Sequence, residues 1–250
     1  MSERRRFAGL AVAGITFQGG SAAVDSTTIM SALIFQLTAS PVAVGAVPAI
    51  LRFGWLVPQL AVGFLVQTGQ SSMRYFVIGA FGRATCMAAL AVALAVGAEW
   101  PPFALGLAVI GLWTAYSFIS GIVAVPYNDI VARSVASHRR SRLLATRFLG
   151  GSIFALAVAA LADRFVGAYG FPRSYAALAA TASALMFASS VIFMRSGRSG
   201  AGGTHNAKRD FPAFLRGGIR VFRTDRAFRR FAVAQWCGGA VLMAGPFFFV

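Results

Sequence analysis

Apolar stretches of about 20 residues recur along this chain, separated by short polar or proline-bearing breaks. As a helix, a stretch of that length matches the thickness of the hydrocarbon core of a bilayer. The composition agrees, because 58% of the residues are hydrophobic and 12% are charged, where soluble domains carry roughly 25% charged residues. The sequence therefore predicts an all-α, polytopic membrane protein.

Seven of these stretches are long enough to be predicted as transmembrane helices. The breaks between them contain turn-forming residues, including Ser40-Pro41 after the first helix and Pro101-Pro102 before the fourth. The break at 163–173 is expected to be irregular. The helices are predicted within residues 7–37, 42–67, 74–98, 103–131, 143–162, 174–194 and 231–250.

These boundaries divide the chain into three parts. Residues 1–194 are predicted to form an N-terminal six-helix transmembrane bundle, residues 195–230 a basic cytoplasmic linker, and residues 231–250 the start of a C-terminal bundle with a seventh transmembrane helix. Within the linker, apolar residues at helical spacing in 211–222 oppose arginines, which predicts either an interfacial helix on anionic headgroups or an ordinary linker. Because no polar stop follows the last apolar run, we expect the chain to be a fragment that is truncated in its seventh helix.

The formal charge of +16 would by itself suit binding to nucleic acid or to an anionic surface. We favour the membrane surface, because the arginines gather in the breaks and no basic face interleaved with aromatic residues occurs in a polar domain. Short cytoplasmic loops retain arginine, so the N-terminus is predicted to be cytoplasmic, in a bacterial-type inner membrane with anionic headgroups. The arginine-bearing segments are 4–6, Arg74, 133–142 and 195–230, and the alternate breaks hold only Arg164 and Arg173.

Three ionisable residues are predicted to lie near the middle of the membrane. Asp25 lies 13 residues before Thr38 and Arg52 lies ten residues after Val42, so both are roughly 15 to 20 Å below the outer surface. Arg83 lies at roughly 13 Å from the inner surface by the same rise per residue. Such residues are costly in a bilayer and mark either a functional pathway or a structural ion pair. In the functional interpretation, Asp25 accepts a proton or cation beside one of the arginines; in the structural one, it forms an ion pair with one of them.

Trp113 and Tyr116 occupy a similar depth on the fourth helix. Their side chains can stack on a substrate or hydrogen-bond to it. Aromatic residues in a helical bundle more commonly contribute to packing. We keep both interpretations and count the two residues as candidates for the substrate pathway, together with the three ionisable residues.

The inner end of the fourth helix carries a candidate cytoplasmic gate. Asp129 and Arg133 are four residues apart and share a helical face, which predicts an ion pair. Arg140 and Arg142 follow in the next break. An ion pair at a helix end can lock one conformation and release another, but a surface pair is typically worth under about 1 kcal/mol and can equally serve only to anchor a loop.

Two segments of the chain resemble the major facilitator superfamily of transporters. They are residues 126–133, Pro-Tyr-Asn-Asp-Ile-Val-Ala-Arg, and residues 138–143, His-Arg-Arg-Ser-Arg-Leu, with Arg-Ser-Arg where that family commonly has Arg-Gly-Arg. Six helices followed by a long basic linker are also similar to the first half of that family. The resemblance implies two six-helix bundles that rock about a site at the membrane midplane, with the first and fourth helices among its walls. It therefore favours Asp25, Trp113 and Tyr116 as pathway residues.

One departure concerns the loop between the second and third helices, which in that family usually reads Gly-x-Leu-x-Asp-Arg-x-Gly-Arg followed by Lys or Arg. Here residues 63–72 read Gly-Phe-Leu-Val-Gln-Thr-Gly-Gln-Ser-Ser and keep only its beginning. The acidic and basic positions are lost. Asp129 with Arg133 therefore becomes the better candidate for a gate.

The predicted function is secondary active transport of a small solute by alternating access, with a proton gradient as one candidate driving force. We expect no enzyme, because His138 and His205 lie in cytoplasmic segments and no metal-binding or nucleophile motif occurs in the apolar runs. No cofactor or metal site is expected, since Cys86 and Cys237 both lie within apolar runs. The alternative is a non-transporting membrane scaffold or partner-binding fragment, because half a transporter needs its missing C-terminal half or a second copy to close both sides of the site.

Overall fold

A computed structural model of the chain describes residues 2–67, 71–198 and 210–244. Within these ranges the chain is helical and contains no strand, which confirms the all-helical prediction. A short 3-10 turn at Gly97–Glu99 precedes the fifth helix. The nine helices of the described ranges are α1 (Glu3–Ala22), α2 (Ile29–Thr38), α3 (Pro41–Gln67), α4 (Ser72–Val96), α5 (Pro102–Ser134), α6 (Ser137–Ala168), α7 (Arg173–Ser196), α8 (Phe211–Thr224) and α9 (Arg226–Ala244).

Five helices in the described part of the chain are long and apolar enough to cross a membrane, by length and composition. They span Pro41–Val66, Ser72–Glu99, Pro102–Ser134, Ser137–Ala168 and Arg173–Ser196, and they correspond to the second to sixth predicted helices. Repeated spans of this kind are the pattern of a multi-pass membrane protein. The prediction of an irregular stretch over residues 163–173 is wrong for its first half, because α6 continues to Ala168. The connection to α7 is shorter and contains Pro172.

The first predicted helix, within residues 7–37, is two helices instead of one. α1 ends at Ala22 and α2 begins at Ile29. In the connection, Oδ1 of Asp25 accepts hydrogen bonds from the backbone N–H groups of Thr27 (2.9 Å) and Thr28 (3.0 Å). A short polar side chain that captures backbone donors competes with helical hydrogen bonding and favours a turn. The break is therefore a consequence of the same aspartate that was predicted as a pathway residue.

The linker and the seventh predicted helix are described only in part. Residues 199–209, which include His205, and residues 245–250 lie outside the described ranges. The amphipathic segment is helical in α8, and its position at a membrane interface stays a prediction. The rings of Phe211 and Phe214 lie 5.4 and 5.8 Å from the ring of Phe64 in α3. α9 begins at Arg226, five residues before the predicted start, and packs against α3 and α8.

The helix packing has an internal symmetry. α1 packs against α6 and α7, whereas α5 packs against α3 and α4, and α4 contacts α7. The broken helix α1–α2 corresponds to α5, α3 corresponds to α6, and α4 corresponds to α7. Exchanging the members of each of these pairs leaves the contacts named above unchanged. Such an exchange is the packing expected from two structural repeats within one bundle.

The arginine-bearing breaks lie together at one end of this bundle. Three contacts join the N-terminus, the start of α4, the α5–α6 turn and the end of α7. They are an ion pair between Arg139 and Glu3 (3.2 Å), a hydrogen bond from the Ser72 hydroxyl to Asp129, and one from the Arg198 backbone N–H to Ser134 Oγ (2.8 Å). The alternation of arginine along the sequence therefore corresponds to a real asymmetry between the two ends of the bundle.

Candidate functional site

A cavity of about 690 Å³ lies between α1 and α3 to α7, a volume typical of small-molecule sites. It lies near the middle of the spans, because Arg52 and Arg83 are each 11 residues from a helix start, or roughly 16 Å along the axis. All five residues predicted for the substrate pathway contribute to its wall: Asp25, Arg52, Arg83, Trp113 and Tyr116. The structure thus brings these residues together, and their role in transport stays a prediction.

Asp25 reaches the cavity from the break between α1 and α2. Besides the two backbone donors, its Oδ1 accepts hydrogen bonds from the hydroxyls of Thr27 (2.6 Å) and Thr28 (3.0 Å). Oδ2 makes no hydrogen bond with the described residues. One carboxylate oxygen therefore organises the turn, and the other is left for a proton or a ligand.

The structural ion pair considered for Asp25 is wrong for the described part of the chain. Both ion pairs there, Arg133–Asp129 and Arg139–Glu3, lie at the arginine-rich end of the bundle. Asp25 satisfies its charge through hydrogen bonds of the local turn instead, which four nearby donors make possible. The hydrogen-bond donors to Asp25 lie two and three residues after it in the chain. Predicting them from the sequence would have required recognising that residues 25–28 form a turn.

Arg52 lies on the open side of the cavity, where its side chain is exposed. It makes neither an ion pair nor a hydrogen bond with residues that the structure describes. Trp55, one turn further along α3, is 43% exposed and lines the same cavity. Because an unpaired guanidinium at mid-span is unfavourable against lipid, this side of α3 is suited to water or to a further protein surface.

Trp113 and Tyr116 form the closed wall of the cavity and are 2% and 5% exposed. Their rings stack with centroids 5.1 Å apart, and the indole N–H of Trp113 donates to the carbonyl oxygen of Val47 (3.0 Å). The sequence analysis allowed Trp113 to donate a hydrogen bond to a substrate. Its only N–H donor on the side chain is instead taken by Val47. Trp113 contributes packing and an apolar surface, and its role as a pathway residue stays a prediction.

Arg147 of α6 is a cavity residue that the sequence analysis missed. Counting from the predicted helix start at residue 143 put it within the first turns at the inner end. The helix begins at Ser137, so Arg147 lies ten residues in, or roughly 15 Å along the axis. The arginine-rich segment 138–142 was interpreted as a loop, although arginine is a good helix former. The helix propensity of the arginines was the signal that could have extended the predicted helix and placed Arg147 deeper in the membrane.

The four residues of the predicted gate do not form one cluster. Arg133 Nε donates to Asp129 Oδ1 at 3.0 Å, which confirms the predicted ion pair, and the Ser72 hydroxyl donates to the same carboxylate. Arg140 instead binds the end of α5, where it donates to the carbonyl oxygen of Ala132 at 2.7 Å. Arg142 is exposed and makes no such contact with the described residues. The Asp129–Arg133 pair lies within α5, and the Ser72 hydroxyl ties Asp129 to the start of α4, so a role of this pair in gating stays a prediction.

We expect Asp25→Ala to destabilise the protein and Asp25→Asn to leave it near wild type. Asparagine retains an Oδ1 acceptor for Thr27 and Thr28, whereas alanine does not. By analogy with the loss of a helix-capping acceptor, the alanine variant should lose about 1 kcal/mol, or about 2 to 4 °C in Tm for a chain of this size. Thermal unfolding of the purified protein measures this, and equal melting temperatures for the two variants would contradict the role of the turn.

The five spans and the charged cavity at their middle define a multi-pass helical membrane protein with a polar site inside the bundle. Comparison of the chain with protein-family models, with curated protein sequences and with solved structures finds no match. What the cavity does must therefore be inferred from the residues of this chain.

Proposed function

We propose that this chain is the N-terminal half of a secondary active transporter of the major facilitator type, which moves a small solute by alternating access. The observation that carries the proposal is the cavity at mid-span, where charged residues from four different parts of the bundle meet. Ionisable residues at that depth are costly unless they line a pathway. A broken helix at the cavity and the symmetric packing of two helix groups are further features of secondary transporters.

The proposed location is a bacterial-type inner membrane, with the N-terminus in the cytoplasm. Support comes from the arginine-bearing breaks, which share one end of the bundle, because cytoplasmic loops are enriched in arginine. Anionic headgroups would attract the same end and the basic side of α8. This orientation leaves the short α4–α5 and α6–α7 connections outside the cell.

The cavity is proposed to be completed by a second bundle or a second copy of the chain. The exposed side chains of Arg52 and Trp55 favour this, because they leave one side of the cavity open at mid-span. Asp25 is the proposed proton acceptor, since it lines the cavity and its Oδ2 makes no hydrogen bond with the described chain. Asp129, which pairs with Arg133 on α5 and accepts the Ser72 hydroxyl at the start of α4, is the proposed cytoplasmic latch. We propose transport rather than an enzymatic reaction, because charged residues from separate helices meet in a cavity at mid-span.

Alternating access can be tested before any substrate is known. In the natural full-length protein with Cys86→Ser and Cys237→Ser, a single cysteine is placed at Ala124, which lines the cavity on α5. Inside-out and right-side-out membrane vesicles are then treated with a membrane-impermeant thiol reagent. We expect labelling from both sides, because a thiol reacts as a thiolate in water and the cavity would open to each side in turn.

The matched control is Leu156→Cys on α6, whose side chain is 72% exposed on the outer surface of the bundle. In lipid it should stay unlabelled from either side, because the thiolate does not form there. Labelling of Ala124→Cys from one side only would contradict alternating access. That outcome would favour the alternative function, a membrane scaffold with a fixed cleft.

A further inference from the structure

Arg83 is a buried cation whose charge is not matched by the protein around it. It is 7% exposed, and its guanidinium carbon lies 3.9 Å from the ring centroid of Phe17 in α1. Nε of Arg83 is buried and has no acceptor among the described residues. The cation–π contact offsets part of the lost hydration, but a buried N–H donor without an acceptor stays costly.

Arg147 approaches the same face of α1 from α6. Its Nη1 donates to the hydroxyl of Tyr127 (2.9 Å), while its Nε is also buried without an acceptor in the described chain. Gly14 permits this approach, because a Cβ at that position would lie 2.5 Å from Cγ of Arg147. Gly14 and Phe17 are three residues apart and share a helical face. The side chains of the two arginines therefore contact α1 about one helical turn apart.

The charge of the cavity is strongly positive. Among the residues that the structure describes, its charged lining consists of three arginines, at positions 52, 83 and 147, and one carboxylate, Asp25. Oδ1 of that carboxylate is taken by Thr27 and Thr28, and Asp25 takes part in neither ion pair of the described chain. Two like charges close together in a low dielectric repel each other, and no carboxylate among the described residues pairs with either arginine to offset their desolvation. An anion between them would accept the free N–H donors and neutralise the pair.

We infer that Arg83 and Arg147 form an anion subsite that binds the carboxylate or phosphate of an organic anion. This inference rests on the proposed transport function, because it assigns a substrate class to the same cavity. The stacked rings of Trp113 and Tyr116, with Phe17, give the cavity an apolar wall as well. The substrate is therefore a carboxylate or phosphate joined to an apolar, ring-bearing body that fits within about 690 Å³.

The test is isothermal titration of the purified full-length protein in a neutral detergent. Benzoate and phenyl phosphate are the anionic probes, and benzyl alcohol and benzylammonium share the ring without the anion. We expect wild type to bind the two anions at least about tenfold more tightly than benzyl alcohol, because charge-assisted hydrogen bonds are stronger than neutral ones. Equal affinity for benzoate and benzyl alcohol would overturn the inference without any variant.

The variants are Arg83→Gln and Arg147→Gln, with Arg164→Gln as the matched control on the exposed part of α6. Each cavity variant should weaken benzoate binding at least about tenfold, as expected for the loss of a charged hydrogen-bond partner. The control should keep wild-type affinity. Unchanged benzoate affinity in Arg147→Gln, which retains a glutamine donor but no charge, would overturn the inference even if Arg83→Gln failed to fold.

The anion could also belong to a lipid headgroup, so the titration is repeated with phosphatidylglycerol in the detergent. An unchanged benzoate affinity assigns the subsite to a soluble anion. Competition by the lipid would assign it to a headgroup and overturn the assignment of the substrate. Binding in detergent needs no transport, and labelling of Ala124→Cys needs no anion, so the two proposals can fail separately.

Discussion

Replacing Trp113 with alanine is expected to lower the free energy of unfolding by about 3 to 5 kcal/mol, the range for removing a buried tryptophan. Trp113 is 2% exposed, stacks on Tyr116 and donates to the carbonyl oxygen of Val47. Its loss leaves a cavity where α3 meets α5, and in a membrane bundle close packing is the main source of helix association. Unfolding of the purified protein by heat or by a denaturing detergent, followed by circular dichroism, measures the effect.

Two further variants separate the contributions of Trp113. Trp113→Phe keeps an aromatic ring but loses the indole N–H. Apart from the effect of the smaller ring, it should lower the free energy of unfolding by about 1 kcal/mol, the net value of one hydrogen bond. Trp100→Ala, at the turn before α5, removes a tryptophan that is 46% exposed and should have a much smaller effect. A loss in Trp113→Ala no larger than that in Trp100→Ala would refute the structural role assigned to Trp113.

Gly121→Ala should also destabilise the bundle strongly for such a small change. A Cβ at this position in α5 would lie 2.5 Å from the carbonyl oxygen of Trp55 and 3.0 Å from that of Gly54, both in α3. Backbone atoms of a packed helix cannot move aside as a side chain can, so α3 and α5 must separate. Overpacking of this kind typically costs about 1 to 3 kcal/mol, which the same unfolding measurement detects.

The control for Gly121 lies on the same helix. Gly111 is exposed on α5, and a Cβ there would meet nothing within 4 Å. Gly111→Ala should therefore raise stability by up to about 1 kcal/mol, the difference in helix propensity between the two residues. Equal effects of the two substitutions would show that α3 and α5 do not approach as closely as described.

The sequence could predict the positions of the spans and the residues of the cavity because both follow from counting along a helix. Apolar length located four of the five helices to within three residues at each end, and α6 to within six. Depth from the nearest break identified Asp25, Arg52 and Arg83. The i,i+4 spacing of Asp129 and Arg133 predicted their ion pair for the same reason. Each of these features depends on residues that are close together in the chain.

Two local features were nevertheless missed, and each has a physical cause. Hydropathy averages over many residues, so it does not register a single carboxylate, Asp25, that captures two backbone donors and breaks the first helix. Hydropathy also assigns an arginine-rich segment to a loop, although α6 begins at Ser137 and runs through it. That error moved Arg147 away from the membrane centre and out of the predicted site.

By itself the sequence determined that this protein is built of helices suited to a lipid bilayer, and which polar groups lie within those helices. It could do so because hydrophobicity and helical rise are local properties. Only the tertiary structure decided how those groups are partnered. Arg83 rests on Phe17, Arg147 packs on Gly14, and Trp113 donates to Val47. These partners lie far apart in the chain, and their contacts depend on how each helix is rotated in the bundle. Helix rotation is set by packing against neighbouring helices, so the buried donors of Arg83 and Arg147 without acceptors in the described chain became visible only in the folded protein.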